Sequence, residues 1–216
     1  MTISVIIPVF YEQNSINEAV KRLKNCEIIV SDCNGRTLDV ISDENVKKIL
    51  SLKGRGVQMN RGARSATGEI LLFLHCDTIL PDNWQESVEN CLESADYGAF
   101  SLGIDSKRPV FRIIEFFSNI RCRLTKIPYG DQAIFIKKEC FKGYQNYPIF
   151  EDYRLMQDAK HSKLKFRLAG KKVKTSARRW EKEGVLYTTF RNWLLTLRYL
   201  SGTHPDRLKK QYGDTR

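Results

Sequence analysis

The feature that most constrains the fold of this chain is a regular alternation of apolar, β-branched runs with helical patterns over its first hundred residues. The pattern predicts strands over residues 3–9, 27–31, 47–52 and 69–74, helices over residues 15–23 and 56–67, and another helix opening at Pro81-Asp82. Parallel strands need long crossover connections, which are usually helical. This order therefore predicts an α/β fold built on a parallel sheet with crossover helices.

Beyond Phe100 the periodicity is weaker. Helices are predicted over residues 110–124, 152–160 and 185–200, with a short strand over residues 133–136 and a polar tail after residue 200. No internal repeat or low-complexity linker interrupts the chain, and 216 residues suit one domain with a substantial core. We therefore expect a single domain over residues 1–216.

Composition argues against two broad classes of protein. A hydrophobic content of 42% and an aromatic content of 11% argue against disorder. No apolar run reaches the roughly 18 residues that a membrane-spanning helix needs. The chain enters a strand pattern at once, without the features of a secretory signal, which predicts a cytoplasmic protein. The six cysteines form no C-x-x-C pair, so we expect reduced packing residues instead of a zinc knuckle or a disulfide framework.

The excess positive charge belongs to the second half of the chain. Residues 1–108 contain 12 Lys and Arg against 15 Asp and Glu, a net charge of −3, whereas residues 109–216 contain 24 against 10, a net charge of +14. A half with this charge could bind nucleic acid, a membrane surface or a phosphorylated small molecule, because all three carry negative charge. A solvated basic face is the simpler alternative.

One apolar run ends abruptly in polar residues. Residues 71–74 are followed by His75, Cys76 and Asp77. A buried strand of an open α/β sheet places ligand-binding groups just beyond its carboxyl end, where the crevice lies. Asp77 is therefore a candidate ligand-binding carboxylate, and a solvated Asp at a strand end is the alternative.

Several motifs occur in a fixed order along the chain. They are residues 4–10 (SVIIPVF), 28–32 (IIVSD), 54–63 (GRGVQMNRGA), 75–77 (HCD), 130–132 (GDQ), 149–152 (IFED) and 176–180 (SARRW). In order and spacing they resemble the family 2 glycosyltransferases, and within that family a small bacterial branch associated with arsenosugar biosynthesis. The resemblance implies a GT-A (nucleotide-diphospho-sugar transferase) fold, a Rossmann-like mixed sheet flanked by helices. It also implies a nucleotide-binding half over residues 1–105 and a basic acceptor-binding half over residues 106–216.

The resemblance implies a donor site. Pro8, Phe10 and Glu12 would form the nucleoside wall, with an ordinary core position as the alternative for Phe10. Asp32 would accept a hydrogen of the nucleobase, with a cap on the following turn as the alternative. Arg55 lies between two glycines, where its guanidinium can pair with phosphate oxygens.

The metal motif of the family is Asp-x-Asp, whereas this chain has His75-Cys76-Asp77. Only Asp77 remains as a carboxylate, and it would hold Mn²⁺ or Mg²⁺ together with two diphosphate oxygens, because such ions share ligands with their substrates. His75 would act as a metal ligand, as a ribose contact or as a packed residue at the strand end. Cys76, which lies between His75 and Asp77, would also contact the donor.

Glu151-Asp152 follows an apolar segment and opens a predicted helix. The resemblance implies that Glu151 and Asp152 form the catalytic motif and that Asp152 is the general base, which takes the proton of the acceptor hydroxyl. The alternative is an acidic pair that only stabilises the N-terminus of a helix. Asp131 and Gln132 are implied as acceptor contacts, with a simple turn as the alternative for Asp131.

Residues 176–180 resemble the Gln-x-x-Arg-Trp element of processive family members, with Ser176 in place of Gln, which argues against polymer synthesis. Arg179 would neutralise the departing diphosphate and Trp180 would wall the acceptor site, and a basic surface turn with a packing aromatic is the alternative. The basic, aromatic helices over residues 110–126 and 185–200 suit a peripheral membrane contact, a homodimer interface or an ordinary core stripe.

The resemblance therefore implies an inverting hexosyltransferase. Its donor would be a nucleoside-diphosphate sugar, with UDP-sugars favoured, and its acceptor a small or lipid-linked hydroxyl compound. We expect no nucleic-acid partner for such an enzyme, and a location in the cytoplasm or at the inner face of the membrane. The alternatives are a non-catalytic nucleotide-sugar binder, because one acid of the metal motif is missing, and a basic nucleic-acid-binding protein.

Overall fold

A computed structural model describes residues 1–212 of the chain. Its strands are β1 (Ile3–Val9), β2 (Glu27–Asp32), β3 (Lys47–Leu50), β4 (Ile70–Phe73), β5 (Thr78–Ile79), β6 (Tyr97–Ser101), β7 (Ile104–Asp105), β8 (Phe135–Lys137), β9 (Phe166–Lys172) and β10 (Lys174–Ser176). Its helices are α1 (Ile16–Lys21), α2 (Arg36–Asp39), α3 (Arg55–Ser65), α4 (Trp84–Leu92), α5 (Pro109–Thr125), α6 (Glu151–His161), α7 (Arg178–Glu183), α8 (Val185–Leu200) and α9 (Pro205–Tyr212). Short 3₁₀ turns lie at Gly130–Gln132 and Lys138–Cys140.

The central sheet has seven strands in the order β3-β2-β1-β4-β8-β6-β9, and a smaller sheet has the order β5-β10-β7. Within the central sheet β8 runs antiparallel to β4 and β6, and the other neighbouring pairs are parallel. Residues of α1 and α4 pack on one face of this sheet, and residues of α3 and α6 pack on the other. The architecture confirms the predicted α/β fold with a mixed sheet flanked by helices.

Strand β1 forms the centre of the core, because all seven of its residues are buried. Successive side chains of a strand face opposite sides of the sheet. Ile7 accordingly packs in one hydrophobic cluster and Ile6 in the other. Burial on both faces explains why this run is uniformly apolar in sequence instead of alternating with polar residues.

Helix α3 is hydrogen-bonded to the carboxyl ends of β1 and β2. The side-chain amide of Gln58 donates to the carbonyl oxygens of Val9, at 2.6 Å, and Ser31, at 2.8 Å. Gly62 lets the helix approach β1 closely, because a Cβ at this position would lie 2.5 Å from Cγ2 of Ile6. These contacts fix the beginning of α3 near the edge of the sheet where β1 and β2 end.

Most elements that the sequence predicts are present. The predicted strand over residues 3–9 and helix over residues 185–200 have the observed bounds of β1 and α8, and the others have ends shifted by a few residues. The polar tail is wrong: residues 205–212 form α9, whose Leu208 is fully buried with Ile149 and Leu195. None of the helices within residues 1–212 is long and apolar enough to cross a membrane.

Candidate active site

The carboxyl ends of β1 and β4 diverge at one edge of the sheet. Their pairing ends at Ile6 and Phe73, and β1 continues to Val9. β2 and β3 lie on one side of β1 and β4 lies on the other, so the strand order reverses here, where open α/β sheets bind ligands. Pro8 follows Ile6 by two residues, so its missing N–H faces the β4 side beyond the last pair, where it costs no ladder hydrogen bond.

Aromatic and cationic side chains stand at the end of β1. The rings of Phe10 and Tyr11 lie 4.4 Å apart, and Tyr11 adopts a left-handed conformation with a φ of 57°. Nζ of Lys53 lies 4.9 Å from the centre of the Phe10 ring, and the guanidinium of Arg36 lies 5.5 Å from that of Tyr11. Phe10 is half-buried and belongs to none of the core clusters formed by residues 1–212. Its position suits the wall of a crevice.

Asp32 ends β2 and is held by the backbone of the turn that follows it. Its side chain is fully buried, and its carboxylate accepts hydrogen bonds from the backbone N–H groups of Cys33 at 2.7 Å, Asn34 at 3.4 Å and Thr37 at 2.9 Å. Oγ1 of Thr37 in turn accepts a bond from the backbone N–H of Glu12. Asp32 therefore caps the turn after β2 and positions the loop around Glu12, and its contact with a nucleobase stays a prediction.

Glu12 connects three segments of the chain. Its side chain is buried, and Ser15 Oγ donates to its Oε2 at 2.9 Å while lying 3.5 Å from Sγ of Cys76, just after β4. Oε1 of Glu12 lies 4.0 Å from Nη2 of Arg178, at the start of α7. The fold thus brings together the donor-side residues predicted at the ends of β1 and β4, with Arg178 beside them.

The structure adds Arg178 to the predicted Arg179. The backbone N–H of Ser176 donates to the carbonyl oxygen of Asp77, which brings the start of α7 close to the end of β4. The guanidinium of Arg179 lies 4.0 Å from the centre of the Tyr212 ring. Successive side chains on a helix point about 100° apart, so the two arginines point in different directions. The resemblance implies a role for Arg179 alone, and the helical geometry of α7 explains why Arg178 is the arginine that faces Glu12.

Arg55 and Glu151 form an ion pair between α3 and α6. Nη1 of Arg55 lies 3.3 Å from Oε1 of Glu151, whose side chain is 4% exposed. Gly56 lets α3 approach the segment before α6, because a Cβ there would lie 2.9 Å from the carbonyl oxygen of Gln145. Burial raises the pKa of Glu151 above its ordinary value, and Arg55 offsets only part of that rise. Burial alone would lower the pKa of Arg55, but acidic neighbours, Glu151 foremost, raise it above its ordinary value.

Asp152 and His75 meet at a glycine. The backbone N–H of Gly130 donates to Oδ2 of Asp152 at 2.5 Å. A Cβ on Gly130 would lie 2.8 Å from Nε2 of His75 and 3.0 Å from Oδ2 of Asp152. Phe150, which precedes α6, has a φ of 64° and stacks on Tyr199 with ring centres 4.6 Å apart, which fixes the entry of the chain into the helix. The end of β4, the turn at residues 130–132 and the start of α6 therefore converge.

Asp131 lies in the same turn, close to Asp152. Its Oδ1 is buried and has no hydrogen-bond partner in the part of the chain that the structure describes. Burial raises the pKa of Asp131 to about 6, and the negative charge of Asp152 adds to the rise, while Arg121 opposes it. The turn and the start of α6 thus present two carboxylates on the predicted acceptor side.

Asp131→Asn should stabilise the protein in a pH-dependent manner. The pKa of Asp131 rises from 3.8 to about 6 on folding, so the folded state binds this proton more tightly than the unfolded chain. The stability that the proton provides is therefore present at low pH and lost as the pH rises from about 4 to about 6. The variant should gain up to about 3 kcal/mol in the free energy of unfolding near neutral pH, and about 1 kcal/mol or less near about pH 4.5.

Urea unfolding at the two pH values measures this difference. Asp105→Asn, which replaces an exposed carboxylate on β7, is the control and should show no comparable gain. A gain for Asp131→Asn that does not change with pH would show that the carboxylate is not perturbed by folding.

Gln132 and Trp180, the other two predicted acceptor contacts, pack against neighbouring parts of the protein. Gln132 is 1% exposed; its Oε1 accepts from the backbone N–H of Tyr129 at 3.1 Å, and its Nε2 donates to the carbonyl oxygen of Phe100 at 3.1 Å. Trp180 packs edge-to-face against Phe111, with ring centres 5.9 Å apart. Gln132 thus holds its own turn in place and Trp180 packs on α5, and their contacts with an acceptor stay predictions.

The exposed carboxylate after β4 suits a cation that is shared with a substrate. Asp77 is exposed, and His75 lies two residues before it. Within residues 1–212 no group of three or more His, Cys, Asp and Glu side chains is arranged to hold a metal ion. Mg²⁺ commonly keeps several waters and binds through one or two carboxylates plus substrate phosphates, and Mn²⁺ accepts the same oxygen ligands. The residues present therefore fit a cation completed by diphosphate oxygens better than an all-protein site.

The chain is similar to a known enzyme family. The sequence model described as "Glycosyl transferase family 2" matches residues 4–152, which is more than half of the chain. No curated protein sequence matches the chain.

Solved structures with the same fold include three nucleotide complexes. The S. aureus TarS 1–349 structure with UDP-GlcNAc is 16% identical with a TM-score of 0.61, over 82% of this chain and 58% of that chain. Glucosyl-3-phosphoglycerate synthase from Mycobacterium tuberculosis, with Mn²⁺, UDP and phosphoglyceric acid, is 15% identical with a TM-score of 0.64, over 93% and 78%. Mannosyltransferase PcManGT from Pyrobaculum calidifontis, with GDP-Man and Mn²⁺, is 16% identical with a TM-score of 0.65, over 96% and 67%. These likenesses establish the predicted GT-A fold, and the chain spans less than two thirds of the TarS chain.

Proposed function

The chain belongs to glycosyl transferase family 2, and we propose that it transfers a hexose from a nucleoside-diphosphate sugar to a hydroxyl acceptor with inversion at the anomeric carbon. The observation that carries this proposal is the convergence of four segments where the strand order reverses: the ends of β1 and β4, the turn at residues 130–132 and the start of α6. They bring Glu12, Asp77 and Asp152 to one edge of the sheet.

Asp152 is the general base in this proposal. Its Oδ2 accepts a bond from the Gly130 N–H, which orients the carboxylate. The acceptor oxygen attacks the anomeric carbon while the proton of the acceptor hydroxyl passes to Asp152. The bond between the anomeric carbon and the diphosphate oxygen breaks at the same time, and the diphosphate leaves with the electron pair. Attack from the face opposite the leaving group inverts the anomeric centre without a covalent intermediate. Asp131 borders the same space and contacts the acceptor.

Positive charge from several elements stabilises the departing diphosphate. Arg55 on α3 and Arg178 on α7 supply guanidinium groups that can pair with phosphate oxygens, and Arg179 is a third candidate. Asp77 would hold Mn²⁺ or Mg²⁺ together with the diphosphate, and the ion would neutralise the charge of the leaving group. Mn²⁺ in the complexes of glucosyl-3-phosphoglycerate synthase and PcManGT supports this assignment.

A UDP-sugar is the donor that we favour. Two of the three compared proteins are bound to uridine nucleotides and one is bound to GDP-Man. We further propose one domain, with a nucleotide-binding half over residues 1–105 and an acceptor-binding half over residues 106–216, acting in the cytoplasm. The finer resemblance, to the branch associated with arsenosugar biosynthesis, stays a prediction, because none of the described site residues identifies an acceptor.

Nucleotide binding should raise the melting temperature in a metal-dependent manner. A ligand at a hundred times its Kd stabilises the folded state by about 2.7 kcal/mol, which raises Tm by several degrees. We expect the largest rise for UDP with Mn²⁺ or Mg²⁺, in a thermal-shift panel of UDP, GDP and CDP with and without either ion. Asp77→Asn should remove the metal-dependent part of the rise, and Asp105→Asn, the matched control, should retain it.

The panel also separates the alternatives. A rise without any turnover of the matching sugar nucleotide would favour a non-catalytic nucleotide-sugar binder, which the His at position 75 suggests. No rise with any of the nucleotides on well-folded protein would contradict the donor site at the ends of β1 and β4.

A further inference from the structure

The exposed apolar surface of this protein is concentrated on two helices. Among residues 1–212, ten of the fifteen large hydrophobic side chains that are exposed belong to α5 and α8, and we call the surface they form the α5–α8 face: Ile113, Phe116, Phe117, Leu124, Leu186, Tyr187, Phe190, Trp193, Leu197 and Leu200. Single exposed hydrophobic residues are normal on a protein surface, but ten of them on two helices with shared neighbours indicate an interaction site.

On α8 the exposed residues form one continuous stripe. Leu186, Phe190, Trp193, Leu197 and Leu200 follow one another at spacings of four, three, four and three residues, which places them on one face along the whole helix. Five large apolar residues aligned in this way would usually pack against a core. Here Leu200 is 55% exposed and Leu186 is 82% exposed, so the stripe faces outward.

The two helices flank the predicted acceptor side of the site. Near their N-terminal ends, Val110 of α5 and Val185 of α8 pack against the same small cluster. Further along, the guanidinium of Arg121 on α5 lies 3.7 Å from the centre of the Tyr129 ring, and the Tyr129 hydroxyl lies 3.4 Å from Oγ1 of Thr196 on α8. Tyr129 directly precedes the turn that carries Asp131, so this turn lies between the helices.

Exposed charges on the two helices are all positive. Arg112 and Arg123 are exposed on α5 and Arg198 on α8, while Glu115, the only acidic residue of either helix, is buried. Residues 109–216 as a whole carry a net charge of +14. Two copies of such a face would bring like charges together, which disfavours a homodimer through this surface. An apolar stripe with cationic neighbours is complementary to the surface of an anionic bilayer.

We propose that the α5–α8 face lies on an anionic phospholipid membrane, with Phe116, Phe117, Phe190 and Trp193 in the headgroup region. The turn between the helices then faces the bilayer. If this turn forms the acceptor side, as the proposed function requires, the acceptor is an amphiphile whose hydroxyl or headgroup stands at the membrane surface. The membrane contact itself rests on the exposed face and its charge, and does not depend on the enzymatic activity.

Flotation with phospholipid vesicles tests this contact. The full chain should float with vesicles of equal parts phosphatidylcholine and phosphatidylglycerol, more weakly with phosphatidylcholine alone, and less as the salt concentration rises. The double variant Phe190→Ser with Trp193→Ser should lose at least about tenfold in partitioning, because it removes two large apolar side chains from the stripe. Both positions are more than half exposed, so the variant should fold. Leu50→Ser with Leu52→Ser, at two exposed apolar positions outside the face, is the matched control and should float like the unaltered chain.

The outcomes separate the membrane contact from the enzymatic activity. Failure of the folded chain to float with anionic vesicles would overturn the contact, as would a dimer in sedimentation that the Phe190→Ser, Trp193→Ser variant converts to a monomer without any vesicle binding. Flotation without donor turnover would leave the contact in place and remove the proposed function. Turnover with a soluble acceptor and no flotation would support the proposed function and overturn the membrane contact.

Discussion

Asp152→Asn should lower the rate of sugar transfer by about 10²–10⁴-fold, because an amide cannot take the proton of the acceptor hydroxyl. The amide has the size of the carboxylate, and its carbonyl oxygen can still accept the bond from Gly130 N–H. The loss should therefore appear in kcat, while the metal-dependent thermal shift with the nucleotide is retained. Initial rates of nucleoside diphosphate release from the donor measure the effect.

Asp158→Asn is the matched control for this experiment. Asp158 lies on the same helix, but its carboxylate pairs with Arg154 at 3.0 Å. We expect the control to keep the rate of the unaltered chain. If Asp152→Asn also kept that rate, Asp152 could not be the base, and the same measurement on Asp131→Asn would then test the second carboxylate of the site.

Arg55→Met should lower the free energy of unfolding by up to about 3–5 kcal/mol, because it removes the nearest counter-charge of the buried Glu151 carboxylate. The cost should depend on pH. A folded-state pKa that is raised, as that of Glu151 is, means that stability is present at low pH and is lost as the pH rises through the pKa. The defect of the variant should therefore shrink in acid, and urea unfolding at neutral and acidic pH measures it.

A second substitution isolates the ion pair from the loss of the arginine side chain itself. Glu151→Gln in the Arg55→Met background should restore much of the lost stability, because a neutral amide needs no counter-charge. Arg154→Met, which breaks a half-exposed pair with Asp158, is the control and should cost about 1 kcal/mol or less. A cost for Arg55→Met no larger than that of the control would show that Glu151 is not held by a buried pair.

The elements that sequence reasoning found and missed differ in a physical way. β1 is buried on both faces, so its seven apolar residues signal a strand unmistakably. β9 lies at the edge of the central sheet, and only Ala169 of its seven residues is buried, so no apolar pattern marks it. The sequence pattern indicates only a polar tail at α9, because Pro205 and Leu208 are the buried residues of this helix. The apolar pattern of a sequence reflects which residues are buried, so an element with few buried residues shows little pattern.

The site shows a similar limit. Sequence reasoning placed polar residues at the ends of β1, β2 and β4, and the fold brings those of β1 and β4 together. It could not tell that the carboxylate of Asp32 turns back onto the N–H groups of its own loop, or that Arg178 and Arg179 point in different directions. The first depends on the direction of one side chain in a short turn, and the second depends on α7, a helix of six residues that the sequence pattern does not predict.

The most direct test of the central claim is the configuration of the first sugar that the protein releases from UDP-glucose in the presence of Mn²⁺. Without an acceptor, water is the hydroxyl compound available to attack the donor, and proton NMR at early times distinguishes the two anomers before they interconvert. The account predicts that the α-linked donor yields the β anomer first, and that Asp152→Asn releases no sugar above background. Release of the α anomer first would contradict inverting transfer. Binding of the nucleotide without release of any sugar from UDP-glucose, UDP-N-acetylglucosamine or GDP-mannose would favour the non-catalytic binder.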